Sequence, residues 1–232
     1  MKMFDEVAVV CDHRTVESAL ALRGVLEHFR LRVRFHRLVE HREALDFFAG
    51  HAPPCPYTVL MSMATTGEEA PGSGILDVFE DGLRFEVFET AYGDPDAEEV
   101  VDRSKAFFDL TPRTIANLVT AAGGTLIAIA GQESLVQPFL AAGYDAVIAP
   151  IEPPERDRWL TSFYYTPGCP DYDAALLFTI GFFYFAMSED AVAPVRAGGV
   201  DNDEQAVAQA SAALGSAHRD HTGGYRYHRR AA

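Results

Sequence analysis

Five short runs rich in β-branched and other apolar residues recur along the chain, and their spacing constrains the fold more than any other feature. They are "VAVVC" (Val7 to Cys11), "VRFHRL" (Val33 to Leu38), "YTVLMSM" (Tyr57 to Met63), "TLIAIA" (Thr125 to Ala130) and "DAVIAP" (Asp145 to Pro150). Runs of this length and composition read as strands. Between the first two lies "DHRTVESALALRGVLEHF", whose Val16, Leu20, Leu22, Val25, Leu26 and Phe29 form a broad helical stripe, with Thr15 and Ser18 as candidate caps. Between the second and third lies "HREALDFFAG", a helix closed by Gly50. Alternation of strand and helix predicts a three-layer α/β sandwich with a mainly parallel sheet and helices on both faces.

The segment after the third strand breaks this rhythm. In "ILDVFEDGLRFEVFE", "EDG" separates two alternating runs, which is a hairpin signal and places a hairpin at the sheet edge. "TAYGDPDAEEVVDRSKAFFD" is polar and reads as an acidic loop with a short helix. "LTPRTIANLVTAAGG" reads as a helix capped by Thr111, with Pro112 in its first turn and a stop at Gly123 or Gly124. "GQESLVQPFLAAGY" is helical, with Pro138 expected to kink or shorten it. "PPERDRWLTSFYY" and "DYDAALLFTIGFFYFAM" are helices separated by "TPGCP", and "DNDEQAVAQASAALG" is a small Ala-rich helix. The last residues show no apolar period. The expected organisation is one α/β domain over residues 1–190, an appended helix over 191–215 and a mobile basic tail over 216–232.

Charge narrows the partners. The 232 residues carry a net charge of −15, with a pI near 4.8. From Glu68 to Asp109 there are thirteen acids against Arg84, Arg103 and Lys105. Phosphate repels such a surface, so nucleic acid and anionic lipid are not expected partners. The tail is the exception, with Arg219, Arg226, Arg229, Arg230 and three His; it is a candidate to fold back on the acidic residues 94 to 102. The start "MKMFDEVAVVCDH" carries acids where a signal peptide needs bases. The longest apolar run, Ala174 to Met187, is shorter than the ~20 residues of a membrane span and reads as a core helix. A cytoplasmic location follows as an expectation. Cys11, Cys55 and Cys169 have neither disulfide nor zinc spacing and are expected to be reduced thiols.

Common chemical motifs are missing. No GxGxxG follows the first strand, no GxxxxGK[ST] marks a phosphate loop, and no GxSxG marks a nucleophile elbow. The eight His form no HExxH, so no metal or cofactor is expected. A receiver-like or flavodoxin-like domain is disfavoured, because "CDH" offers a single acid and the only lysines are Lys2 and Lys105.

The order of short motifs resembles the caspase-like fold, and in particular its CHAT branch of cysteine peptidases. In that family the third strand ends in a motif like Ala-Thr-His-Gly, and an acidic or hairpin segment follows. A Leu-Thr helix then leads to a strand ending in Ala-Cys-Glu-Ser or Ala-Cys-Glu-Thr. This chain has "MATTG", "ILDVFEDG", "LTPRTIANL", "LIAIAGQES", "PFLAAGYDAVIAP" and "RWLTSFYY" in that order, spanning roughly residues 57 to 165. The resemblance implies that the catalytic His position is Thr66 and the catalytic Cys position is Gly131. A cysteine peptidase needs a thiolate and a neighbouring imidazole. Thr66 and Gly131 supply neither, so proteolysis is not expected, and the loop after the fourth strand is also shorter than is usual in the family.

What the strand ends retain is a set of polar residues: Asp12, His13, Ser62, Thr65, Thr66, Gln132, Glu133 and Ser134. Three uses present themselves. Ser134 with His13 would make a nucleophile and base if held within hydrogen-bond reach. Asp12 with Glu133 would present two carboxylates to a divalent cation. The third is structural: "GQES" reads as a helix start, with Glu133 at the positive end of the dipole. The expected function is that of an inactive caspase/CHAT-like domain in protein interaction or regulation, with a protein partner or self-association. The alternative is a hydrolase or small-ligand site around Thr66, Glu133 and Ser134. The aromatic surplus in "FTIGFFYF" makes Phe182, Phe183 and Phe185 interface candidates.

Overall fold

The computed structural model describes residues 6–51, 54–65, 82–91, 102–129, 133–150, 170–187, 202–217 and 224–231. The elements in chain order are strand β1 (Glu6–Cys11), helix α1 (Val16–His28), strand β2 (Arg32–Arg37), helix α2 (His41–Asp46) with a wider turn over Phe47–His51, and strands β3 (Tyr57–Met61), β4 (Met63–Thr65), β5 (Gly82–Ala91) and β6 (Asp102–Leu110). Helix α3 (Pro112–Leu118), strand β7 (Thr125–Ala128), helix α4 (Glu133–Ala141), strand β8 (Ala146–Pro150), helices α5 (Pro170–Met187) and α6 (Asn202–Ala217) and strand β9 (Tyr225–Arg229) complete it.

The main sheet has the order β2-β1-β3-β7-β8-β9, parallel except for β9. Strand alternation sends Val7, Val9, Cys11, Tyr57, Val59, Met61 and Ile127 to one face, against α1, α5 and α6. Val10, Leu60, Leu126 and Ala128 go to the other, against α2, α3 and α4. This is the three-layer α/β sandwich that the spacing of the apolar runs requires. The five parallel strands fall on the five apolar runs within two residues.

Two expectations about the middle of the chain change. "MATTG" does not end the parallel sheet: the third strand stops at Met61, and Met63–Thr65 belongs to a second sheet, β4-β5-β6, in which Thr65 pairs with Gly82. Residues 102–110, expected as acidic loop, are strand β6, antiparallel to β5 from Leu83↔Leu110 to Ala91↔Asp102. The first run of the expected hairpin, residues 75–80, lies outside the described residues. Leu83, Phe85, Val87, Phe108 and Leu110 turn inward and complete the core on the α2 side, where Phe48 stacks on Phe108 at 5.6 Å. Asp109 stands between the inward positions Phe108 and Leu110.

The carboxyl-terminal region is part of the fold, not an appendage. Strand β9 adds to β8, Tyr225 stacks on Phe178 of α5 at 3.7 Å, and Asp203 at the start of α6 is buried. Its carboxylate accepts from the Tyr57 hydroxyl at 2.8 Å and the Thr125 hydroxyl at 3.0 Å. These bonds pin α6 to the amino ends of β3 and β7. The expected mobile tail is therefore corrected over 224–231, because β8 offers a free row of backbone groups and unpaired edges are costly to leave open. Arg226 and Arg230 pair with Glu133 and Asp145; of the acidic residues 94 to 102 expected as their target, 94 to 101 lie outside the described residues. No helix among the described residues is long and apolar enough to cross a membrane.

Candidate functional site

The carboxyl ends of the parallel strands are organised by Asp12, in the turn between β1 and α1. Its side chain is fully buried. One carboxylate oxygen accepts from the backbone N–H of Arg14 at 2.9 Å and of Thr15 at 2.8 Å. The other accepts from the N–H of Glu86 in β5 at 2.7 Å. The Thr15 hydroxyl stands 2.8 Å from both Asp12 Oδ1 and the Met61 carbonyl, and accepts from the Asp12 N–H at 3.0 Å. The Glu86 carboxylate is buried as well and receives Arg14 Nε at 2.6 Å. A buried carboxylate is tolerated only when donors surround it. Here the donors come from two elements, so the cluster clamps the small sheet onto the end of the large one.

That arrangement decides the fate of the predicted site residues. Asp12 is used up in structure, with its oxygens engaged by N–H groups rather than offered to a ligand. His13 is exposed; its Nδ1 lies 3.5 Å from Arg37 and its ring meets Phe88 at 5.9 Å. Those contacts draw it toward β2 and the small sheet, whereas Ser134 sits on α4, which follows β7 on the other side of β1 and β3. The structure does not bring the two together. Glu133 opens α4 and is held by Arg226 at 2.9 Å, which is the helix-start role. Among the described residues no three His, Cys, Asp or Glu side chains gather as a metal site. Ser62 is fully buried where the chain crosses from one sheet to the other, and its hydroxyl has no hydrogen-bond partner among the described residues. Thr66, Gly131 and Gln132 lie outside the described residues.

Cys11 ends β1 on the α1 face and is buried. Burial, reinforced by the Asp12 carboxylate beside it, pushes its thiol up to about 12. It is a core residue with no thiolate to offer at neutral pH.

The interface candidates are corrected. Phe182 and Phe183 are buried, with their rings 5.9 and 5.5 Å from Tyr57, and Phe185 is half-buried against the same core. The exposed apolar residues of α5 are Leu177 (49 %) and Tyr184 (57 %). They are seven residues apart and share one helix face. The Tyr184 ring also meets Phe29 at 6.2 Å, just past the end of α1. Leu20, at 50 %, is the exposed apolar residue on α1.

Sequence reasoning missed Glu86, His36 in the later part of β2, and Cys55 and Tyr144 just before β3 and β8. The signal for Glu86 was an acid inside an alternating strand; its partner Arg14 is 72 positions away in the chain. Comparisons with protein-family models, curated proteins and solved structures found no match.

Proposed function

We propose that this chain is a caspase/CHAT-like domain without peptidase chemistry, and that it works by binding another protein. The resemblance places Thr66 and Gly131 where a peptidase carries His and Cys, and neither can form or activate a thiolate. The mainly parallel sheet is compatible with that resemblance.

The observation that carries the reading is α5. From Ala174 to Met187 it has no charged residue and is apolar on every side. A helix of this kind belongs in a core, because a surface helix normally keeps one polar face. One face is covered by the sheet and by α6, where Ala210 packs beside Gly181. Leu177 and Tyr184 stand on a face left open. Large exposed apolar side chains on an all-apolar helix mark a surface meant to be covered.

The test compares the wild-type chain with the double variant Leu177→Glu and Tyr184→Glu as baits in native lysate, with sedimentation of each purified chain. The expected result is a protein, or a second copy, bound by wild type at fixed stoichiometry and lost in the variant. Retention unchanged by the variant, or a wild-type monomer with nothing bound, refutes the reading. The hydrolase or ligand alternative around Thr66, Glu133 and Ser134 has less support, since Glu133 is engaged by Arg226.

A further inference from the structure

The amino ends of the parallel strands carry a feature independent of the protein-binding reading. Here the loops are drawn together by backbone hydrogen bonds: Thr120 N–H to the Phe48 carbonyl at 2.9 Å, Thr125 N–H to Pro56 at 2.8 Å and Ala121 N–H to Ala142 at 2.9 Å. Such approach depends on missing side chains. A Cβ at Gly124, where φ is +86°, would lie 2.6 Å from the Cys55 carbonyl oxygen; one at Gly50, φ +84°, would lie 3.1 Å from that of Thr120. The loops thus enclose a preformed cleft of about 130 Å³ beneath the sheet.

Its floor is Ala8 and Thr58, and its walls include His36, Phe47, Cys55 and Tyr144. No charged side chain among the described residues lines it. The nearest cation, Arg34, is bound to both carboxylate oxygens of Glu6, at 2.7 and 2.5 Å. Burial pushes the Tyr144 phenol up to about 12, with the Thr58 hydroxyl beside it holding it down. The Cys55 thiol is raised, first by burial, and stays protonated. His36 differs from these: it is half-buried, its ring meets Phe47 at 5.0 Å, and its nitrogens make no hydrogen bond among the described residues. Burial and the charge of Arg34 hold its imidazole below the ordinary range, so it is neutral. A neutral imidazole carries one N–H donor and one lone pair. Both are available at the cleft wall to a ligand that can meet them.

We propose that this cleft binds a small, neutral, mostly apolar molecule bearing one hydroxyl, of the phenol class, with the hydroxyl hydrogen-bonded to His36. The size follows from the volume: a cavity of ~150 Å³ accepts benzene. Neutrality follows from the lining, which offers no counter-charge to a buried ion. The single hydroxyl follows from the single unpaired ring. A ligand of about seven non-hydrogen atoms reaches a Kd on the order of 0.1 to 1 mM.

The experiment is an NMR titration of the full chain with phenol, following the His36 ring signals, with toluene and benzoate as matched probes. The expected result is a saturable shift with phenol, weaker saturation with toluene by roughly tenfold, the value of one hydrogen bond, and none with benzoate. His36→Phe should erase the preference for phenol over toluene while the melting curve stays cooperative. Ala8→Val, which fills the floor, should weaken both. A shift that never saturates, equal response to benzoate, or an unchanged preference in a folded His36→Phe chain overturns the proposal.

Discussion

At the carboxyl ends of the parallel strands the identified carboxylates are committed to structure: Asp12 accepts from two elements, Arg14 holds Glu86, and Arg226 holds Glu133. In the cleft that opens toward the amino ends, the imidazole of His36, from the later part of β2, makes no hydrogen bond among the described residues, and no charged side chain among them lines the walls. Open α/β sheets commonly bind ligands beyond the carboxyl ends of their strands. Among the described residues that end is a fastening point for a second sheet, and a cleft lies at the other. An edge that could serve chemistry can be spent on joining two layers, and bond geometry, not position in the fold, tells which has happened.

The sharpest way to break this contrast is Asp12→Ala. It strands several buried N–H groups at once, at about 1 to 3 kcal/mol each, so a total loss of about 3 to 5 kcal/mol in urea unfolding is expected. Asp12→Asn keeps one acceptor and should lose about half of that. A loss below about 1 kcal/mol would show that the carboxyl end is not a clamp.

Next in size is Gly124→Ala at the amino end. Its backbone sits at φ +86° and the new Cβ would strike the Cys55 carbonyl. About 2 kcal/mol or more should be lost, and the His36 ring signals should broaden as the cleft walls separate. Gly24→Ala is the opposite control: it lies inside α1 with nothing within 4 Å of its Cβ position. A gain of about 0.5 to 1 kcal/mol is expected there, by the same melting measurement.

His36 makes the contrast pH-dependent. Its folded imidazole is held below 6.5 by burial first and by Arg34 second. As pH falls through 6.5 the unfolded chain takes the proton before the folded one, so stability is full above that value and declines on acidification. His36→Gln should flatten part of the decline between pH 7.5 and 5. His228, lowered first by burial, accounts for a further share. A slope unchanged in His36→Gln would place the effect elsewhere. The smallest effect belongs to Glu133→Gln. The pair with Arg226 is half-exposed on both sides, so a change under about 0.5 kcal/mol, vanishing in high salt, is expected. A loss above about 2 kcal/mol would make the α4 start as structural as Asp12.

Much of the layered core was legible before any coordinates. β1, β2, β3, β7 and β8 were marked by apolar runs because a strand buried on both faces must be apolar throughout. Helix α5 was recognisable as core for the same reason, yet which of its aromatics faced outward was not, since an all-apolar helix has no polar face to orient it. Strand β6 escaped notice because "DRSKAFFDL" has one face on the core and a polar majority. In β9 the alternation "YRYHR" was present, but a strand so short is stable only beside a free edge, and that edge belongs to β8.

The local periods of the chain thus determined the layers and the parallel sheet, because period follows from backbone geometry within a few residues. Only the tertiary structure decided which polar groups are consumed. The partners that settle it are far apart in sequence: Arg14 with Glu86 across 72 positions, Tyr57 with Asp203 across 146. Whether Asp12 is a ligand or a clamp, and whether His36 is paired or open, depends on which groups folding carries to within about 3 Å of each, the reach of a hydrogen bond.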